Sequence, residues 1–225
     1  MLQNLLTAGT DTASSAIEWA VTELIRHPDI LKKAQQEIDS VVGRDRLVSE
    51  ADIPKLPFFQ AVIKENFRLH PSTPLSLPHM ASEECVVGGY RIPKHATLLV
   101  NIWGMGRDPK IWPNPLEFNP ARFLPGGEAQ HIDVRGKNFE LIPFGYGRRI
   151  CAGTSMGIRV VQSTVAALIH AFDWALPGAQ TAEKIDMEEL FGISLQKAVP
   201  LMAHPVPRLA RKAYGIKGPQ NASQA

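Results

Sequence analysis

One cysteine in this sequence stands where a reactive thiolate would be useful. Cys151 closes the stretch Phe144-Gly145-Tyr146-Gly147-Arg148-Arg149-Ile150-Cys151-Ala152-Gly153. Directly after it, Ile158, Val161, Val165, Leu168, Ile169 and Phe172 recur at the spacing of one helical face. Cys151 therefore lies at or just before a helix N-terminus, where free N–H groups and the helix dipole favour the thiolate. Arg148 and Arg149 add positive potential, and the glycines let backbone approach something large and flat that a Cβ would keep away. A lone thiolate with these neighbours suits an axial ligand to a haem, with an arginine reaching a propionate.

Other readings of the same residues compete. A phosphate-binding GxGxxG loop fails, because Ile150 stands where the third glycine belongs. A zinc site fails for want of a second cysteine two to four residues away. A buried structural cysteine stays open on spacing alone, although it explains neither the glycines nor the arginines.

Stepping outward, residues 1–27 read as a helix with an interrupted middle. Leu2, Leu5 and Leu6 lead into Ala8-Gly9-Thr10-Asp11-Thr12-Ala13-Ser14-Ser15, and Ile17, Trp19, Ala20, Leu24 and Ile25 resume the apolar face. Glycine flanked by Thr and Ser lowers helix propensity and can bend or open the ladder. A second helix is predicted from Pro28 to Val42, ended by Gly43, then a short turn from Ser49. Phe58 to Leu69 reads as a helix with Phe59, Val62, Ile63 and Phe67 on one side and Glu65 and Arg68 at i, i+3. Pro71, Pro74 and Pro78 call for extended chain. Cys85-Val86-Val87, Gly88-Gly89 and Tyr90-Arg91-Ile92 read as strand, tight turn and strand, with Cys85 buried, and 97–101 as a third strand of a small sheet. Residues 107–143 are proline-rich loop anchored by Trp112, Phe118 and Phe123. Short strands are expected at 173–177 and 201–203, with a turn at 191–196, and a frayed basic end.

Composition narrows the class. The 225 residues are 44% hydrophobic, enough for a globular core, and a net charge of +2 gives no reason to invoke nucleic acid. Two cysteines rule out a disulfide framework and fit a reducing compartment. No run of 18 apolar residues suggests a membrane span, and Met1 opens without the basic region of a signal peptide.

Phe144-x-x-Gly147-x-Arg149-x-Cys151-x-Gly153 resembles, position for position, the haem-binding signature of the cytochrome P-450 superfamily. The resemblance extends over nearly the whole chain and implies a mainly α protein with a small β region, the C-terminal half of the cytochrome P-450 fold. Residues 1–210 would form the haem-binding part of one domain and 211–225 a frayed tail. The implied cofactor is haem b, held by the Cys151 thiolate, with Phe144, Gly147, Gly153, Arg149 and His79 around it. That thiolate would push electron density onto the iron and favour O–O cleavage. Ala8-Gly9-Thr10-Asp11-Thr12 resembles the family's oxygen-activation motif, which makes Asp11 and Thr12 the implied proton-delivery pair. Glu65-Asn66-Phe67-Arg68 resembles its Glu-x-x-Arg motif, with Arg122 of Pro120-Ala121-Arg122-Phe123 as third member of a buried structural charge network. Ala8, Gly9, Thr73, Leu75, Ile193 and Ser194 are the implied substrate-pocket residues.

The resemblance also implies electrons from NADPH through NADPH-cytochrome P-450 reductase, docked on a face to which Arg135, Lys137, Arg148, Arg149 and Arg159 contribute. Substrates would be a small aromatic molecule and O2. Within the superfamily, 70–78, 123–127, 171–177 and 192–198 look like plant flavonoid B-ring hydroxylases, with 3′ or 3′,5′ regiochemistry left open by Ser194. Full-length members sit on the cytoplasmic face of the endoplasmic reticulum through an N-terminal anchor, whereas these residues alone would be cytosolic. A competing expectation is a truncated, inactive haem-binding fragment; another is hydroxylation of a different phenylpropanoid.

Overall fold

The computed structural model describes residues 2–178 and 180–215, with side chains from residue 6 onward. Its helices are α1 (Leu2–Arg26), α2 (Pro28–Val42), α3 (Pro57–Leu69), α4 (Ile102–Met105) and α5 (Thr154–Ala171). Its strands are β1 (His79–Met80), β2 (Cys85–Val87), β3 (Tyr90–Ile92), β4 (Thr97–Leu98), β5 (Phe172–Ala175), β6 (Glu189–Leu190), β7 (Gln196–Lys197) and β8 (His204–Pro207). Among the described residues no helix is long and apolar enough to cross a membrane.

The core lies between α1, α2, α3 and α5 and is built from the apolar stripes the periodicity predicts. Ala16, Ala20 and Leu24 of α1 meet Ala34 and Ile38 of α2, Phe59, Val62 and Ile63 of α3, and Ile158, Val161, Val165 and Ile169 of α5. α1 stops at Arg26 because His27 precedes a proline and takes a non-helical conformation (φ −119°, ψ 76°). Pro28 then serves at the start of α2, where its missing N–H costs nothing. The Glu37 carboxylate of α2 accepts from Phe58 N and Phe59 N (both 2.8 Å), satisfying two orphan donors at the start of α3.

Several expectations are corrected. α1 is continuous through Ala8–Ser15. The Thr12 hydroxyl donates to Ala8 O (2.7 Å) and Ser14 Oγ to Asp11 O (3.1 Å), so these polar side chains bond along the helix rather than breaking it. In place of one small sheet there are four two-stranded antiparallel ribbons among the described residues: β1–β4, β2–β3, β5–β8 and β6–β7. Cys85 is exposed, because the β2–β3 hairpin, turned by Gly88 and Gly89 at φ 56° and 85°, stands off the core with both faces in solvent. The third strand ends at Leu98, and Asn101 instead caps α4, its side chain accepting from Gly104 N (2.8 Å). The 201–203 strand begins three residues later, pairing Phe172 with Pro207 and Ala175 with His204. Its two prolines are tolerated on an edge strand, where N–H groups are not all needed. Residues 71–78 are bends and turns, including Ser76 at φ 59°, rather than extended strand. At the start of the expected frayed tail, Arg211–Tyr214 form a 3-10 turn whose Tyr214 hydroxyl accepts from Arg208 N and Leu209 N (3.1 Å each). The rest of that tail, 216–225, lies outside the described residues.

The C-terminal part of α1 is fastened by a buried acid that the sequence does not advertise. Glu23 is 3% exposed, and His70 Nε2 lies 2.8 Å from its Oε1. His27 Nδ1 sits 2.8 Å from the Glu23 carbonyl oxygen and 3.3 Å from Oε2. Burial alone would raise the carboxyl, but the two imidazoles outweigh it and hold Glu23 at about 2, below its ordinary 4.5. A depressed carboxylate contributes stability above its unfolded value and loses it as pH falls toward the folded one. That lowering corresponds to on the order of 3 kcal/mol, present above pH 4.5 and lost on the way to pH 2. His27 is shifted upward by Glu23, so its share is complete below 6.5 and is lost as pH rises through its folded value. Urea titrations of the protein and of Glu23→Gln should therefore differ most near pH 5–6 and converge near pH 2. A gap that stayed constant with pH would contradict this linkage.

Candidate functional site

α3 positions the cysteine loop through neighbouring side chains. Phe67 stacks edge-on against Phe144 (centroids 5.3 Å apart), and Phe144 lies against Gly157 in the first turn of α5, where an added Cβ would sit 3.4 Å from its ring. Across the loop, Gly145 N donates to Ile142 O and Cys151 N to Phe144 O, both 2.9 Å. Ile150 N donates to Gly147 O (3.1 Å), closing the 3-10 turn Gly147–Arg149 that carries both arginines outward. Thr154 Oγ1 donates to Cys151 O (2.7 Å) and starts α5. Cys151 is thus held three residues before the helix, with its side chain exposed.

Gly145 and Gly147 have φ of 75° and 71°, a region L side chains avoid, and nothing lies within 4 Å of a Cβ built on either. Gly153 is similarly lean, its nearest neighbour being Cys151 Sγ at 3.7 Å from a built Cβ. The loop therefore offers a soft sulfur donor beside a backbone surface kept clear of side chains, edged by the exposed Arg148 and Arg149. This donor set and cradle fit a flat metallocofactor carrying acidic groups.

The structure assembles the charge network from α3 and the proline-rich meander. Glu65 takes a bidentate pair from Arg68 (Nε–Oε2 and Nη2–Oε1, both 2.7 Å) and a third bond from Arg122 Nε (3.0 Å), all with side chains no more than 1% exposed. Asn119 N adds a fourth bond to Oε1 (2.8 Å). The remaining guanidinium donors go to the carbonyls of Gly106, Pro113, Pro115 and Glu117 and to the Glu128 carboxylate. Sequence reasoning found the three charged members but not this carbonyl cage or Glu128. Backbone oxygens carry no residue signature.

The other sequence-predicted residues fall on three segments. Ala8, Gly9 and Asp11 are exposed on α1, with Thr12 half-buried, and α1 packs against α5. Thr73 and Leu75 are half-buried in the turns after α3, and His79 is exposed in β1 opposite Leu98. Ile193, 83% exposed, and Ser194 form the loop between β6 and β7. Hydrogen bonds bring the three segments together: Ser72 Oγ donates to Thr12 O and Leu195 N to Ser72 O, both 2.9 Å.

A family model described as cytochrome P-450 matches residues 1–202. The chain belongs to the cytochrome P-450 family. A flavonoid 3′,5′-hydroxylase of Crocosmia x crocosmiiflora is 76% identical over 217 residues, which are 96% of this chain and 41% of that relative. A flavonoid 3′-monooxygenase of Arabidopsis thaliana is 62% identical over 96% of this chain and 42% of its own length. The chain thus spans less than half the length of the curated P-450 relatives it matches. Among solved structures, a zebra fish cytochrome P-450 with abiraterone superposes with a TM-score of 0.78 at 31% identity, covering 91% of this chain and 47% of the other. The mainly α, ribbon-bearing arrangement is a P-450 fold over this region.

Proposed function

We propose that the protein is a haem-thiolate monooxygenase that hydroxylates the B ring of a flavonoid. The observation that carries the reaction class is the exposed Cys151 thiol at the end of a loop whose glycines keep a flat surface open. The substrate class is supported by the names of relatives 62–76% identical to it. In this reading Cys151 Sγ would be the donor to the haem iron, Gly147 and Gly153 would allow close approach, Phe144 packs behind the loop, and Arg149 and His79 would pair with acidic substituents of the cofactor. When bound, haem b supplies activation of O2 with two electrons from NADPH, delivered by a flavoprotein reductase, so that one oxygen atom enters an aromatic C–H bond and the other leaves as water.

The chain's own residues do the rest. Asp11, exposed, gathers protons from solvent, and the half-buried Thr12 hydroxyl, which donates to Ala8 O, passes them on. Ala8, Gly9, Thr73, Leu75, Ile193 and Ser194 orient the aromatic substrate. The test is turnover by the protein with haem, a P-450 reductase and NADPH. The expected product is a flavonoid hydroxylated at the 3′ position, or at 3′ and 5′, since relatives carry both names. Oxidation of other phenylpropanoids with no flavonoid product would overturn the substrate assignment. A Thr12→Ala variant should consume NADPH while forming on the order of tenfold or more less product, because proton delivery contributes about that much or more.

A further inference from the structure

Resting on the monooxygenase reading above, we infer that Ser15 and Ser72 are positioning residues that fix the β6–β7 loop, and with it Ile193 and Ser194, against the Thr12 turn of α1. The evidence is a closed ring of hydrogen bonds among three segments remote in sequence. Thr12 O accepts from Ser72 Oγ (2.9 Å), and Ser72 O accepts from Leu195 N (2.9 Å). Leu195 O accepts from Ser15 Oγ, which returns the ring to α1 three residues after Thr12. Both backbone groups of Leu195 are therefore spoken for by different elements, and its side chain is fully buried. The base of the same hairpin is anchored separately, with Glu189 accepting from Trp103 Nε1 (2.8 Å) and Lys197 Nζ lying 4.8 Å from the centroid of the Trp19 ring. Between these anchors the tip projects Phe191 and Ile193 outward.

The chemistry of the ring says which residues matter. Ser15 is 3% exposed, so removing its hydroxyl leaves a buried carbonyl without a partner and frees the loop to shift. Loop and helix would then lose their common register, so a substrate lodged between them would meet a less preorganised surface and bind more weakly. Neither serine touches the reacting atoms; each acts through Leu195 or Thr12.

The test compares Ser15→Ala and Ser15→Thr in the haem-loaded protein. In Ser15→Ala, hydrogen exchange at the Leu195 amide should accelerate on the order of tenfold, since local opening becomes easier. KM for the flavonoid should rise severalfold with a smaller change in kcat, while the carbon monoxide difference spectrum is kept. Ser15→Thr retains the hydroxyl and should restore exchange and KM together. Unchanged exchange and KM in Ser15→Ala would overturn the inference. So would a fall in kcat in proportion to lost haem, the sign of a merely structural role. If Ser15→Ala does not fold, Ser72→Ala, outside α1, is judged by the same readouts. A parent protein that turns over no flavonoid refutes the functional reading, and the exchange measurement alone then decides the positioning role.

Discussion

Glu65→Ala is expected to cost about 3–5 kcal/mol of folding stability, the range for breaking a buried ion pair by removing one partner. Arg68 and Arg122 are 1% and 2% exposed, and the carboxylate is their shared counter-charge. Without it, two guanidiniums remain in the core, facing carbonyl dipoles, the Trp112 ring 5.3 Å from Arg68 and, for Arg122, Glu128, whose own side chain is 42% exposed. Against a typical total of about 5–15 kcal/mol, the loss is a large fraction of what a domain has. The damage would spread along a definite route: α3 releases the meander at Gly106, Pro115 and Glu117, and Phe67 no longer braces Phe144. Urea unfolding followed by circular dichroism measures it. Glu65→Gln, which keeps the shape and some acceptor capacity, should fall between parent and alanine variant. A cost below about 1 kcal/mol, the worth of a surface pair, would show that the network is not the fastening described here.

How much of this could be read from the sequence depends on whether the cause was local. α2 and α3 were legible to within a residue because proline, glycine and a 3.6-residue stripe act over a few positions. The β2–β3 hairpin was legible for the same reason, in Gly88-Gly89. Its burial was not. Alternation cannot say whether a hairpin lies on the core or stands away from it, which is why Cys85 emerges exposed. In the middle of α1, propensity counts Thr12 and Ser14 as weakening, whereas their hydroxyls bond back along the helix and leave it continuous. In the site, Glu65 and Arg68 share one helix face and invite pairing, but Arg122 joins from 57 positions away and only a motif could suggest it. The Glu23–His70 bond spans 47 positions and the Ser15–Leu195 bond 180, both with ordinary residue types, so no local pattern announces them.

Cys151→Ala is expected to have the opposite profile, with almost no cost to folding and complete loss of the haem-thiolate signature. The side chain is exposed, and the loop around it is held by backbone bonds from Phe144, Gly147 and Ile142 that alanine leaves in place. Exposed substitutions of this kind change stability by about 0.5 kcal/mol or less. The donor atom, however, has no substitute: alanine offers nothing to a metal, and the nearby arginines carry only N–H donors. After haem loading, reduction and exposure to carbon monoxide, the parent should show the strongly red-shifted Soret band of a thiolate adduct and the variant should not. Matching urea midpoints for the two apo proteins would show that the lost band reflects ligation and not unfolding. Cys85, the only other cysteine and also exposed, makes the control decisive. It lies in strand β2 opposite Ile92, with no helix start beside the thiol as Cys151 has in α5, so Cys85→Ser should keep the band unaltered. A red-shifted band that survived Cys151→Ala and vanished in Cys85→Ser would move the ligand to the β2–β3 hairpin.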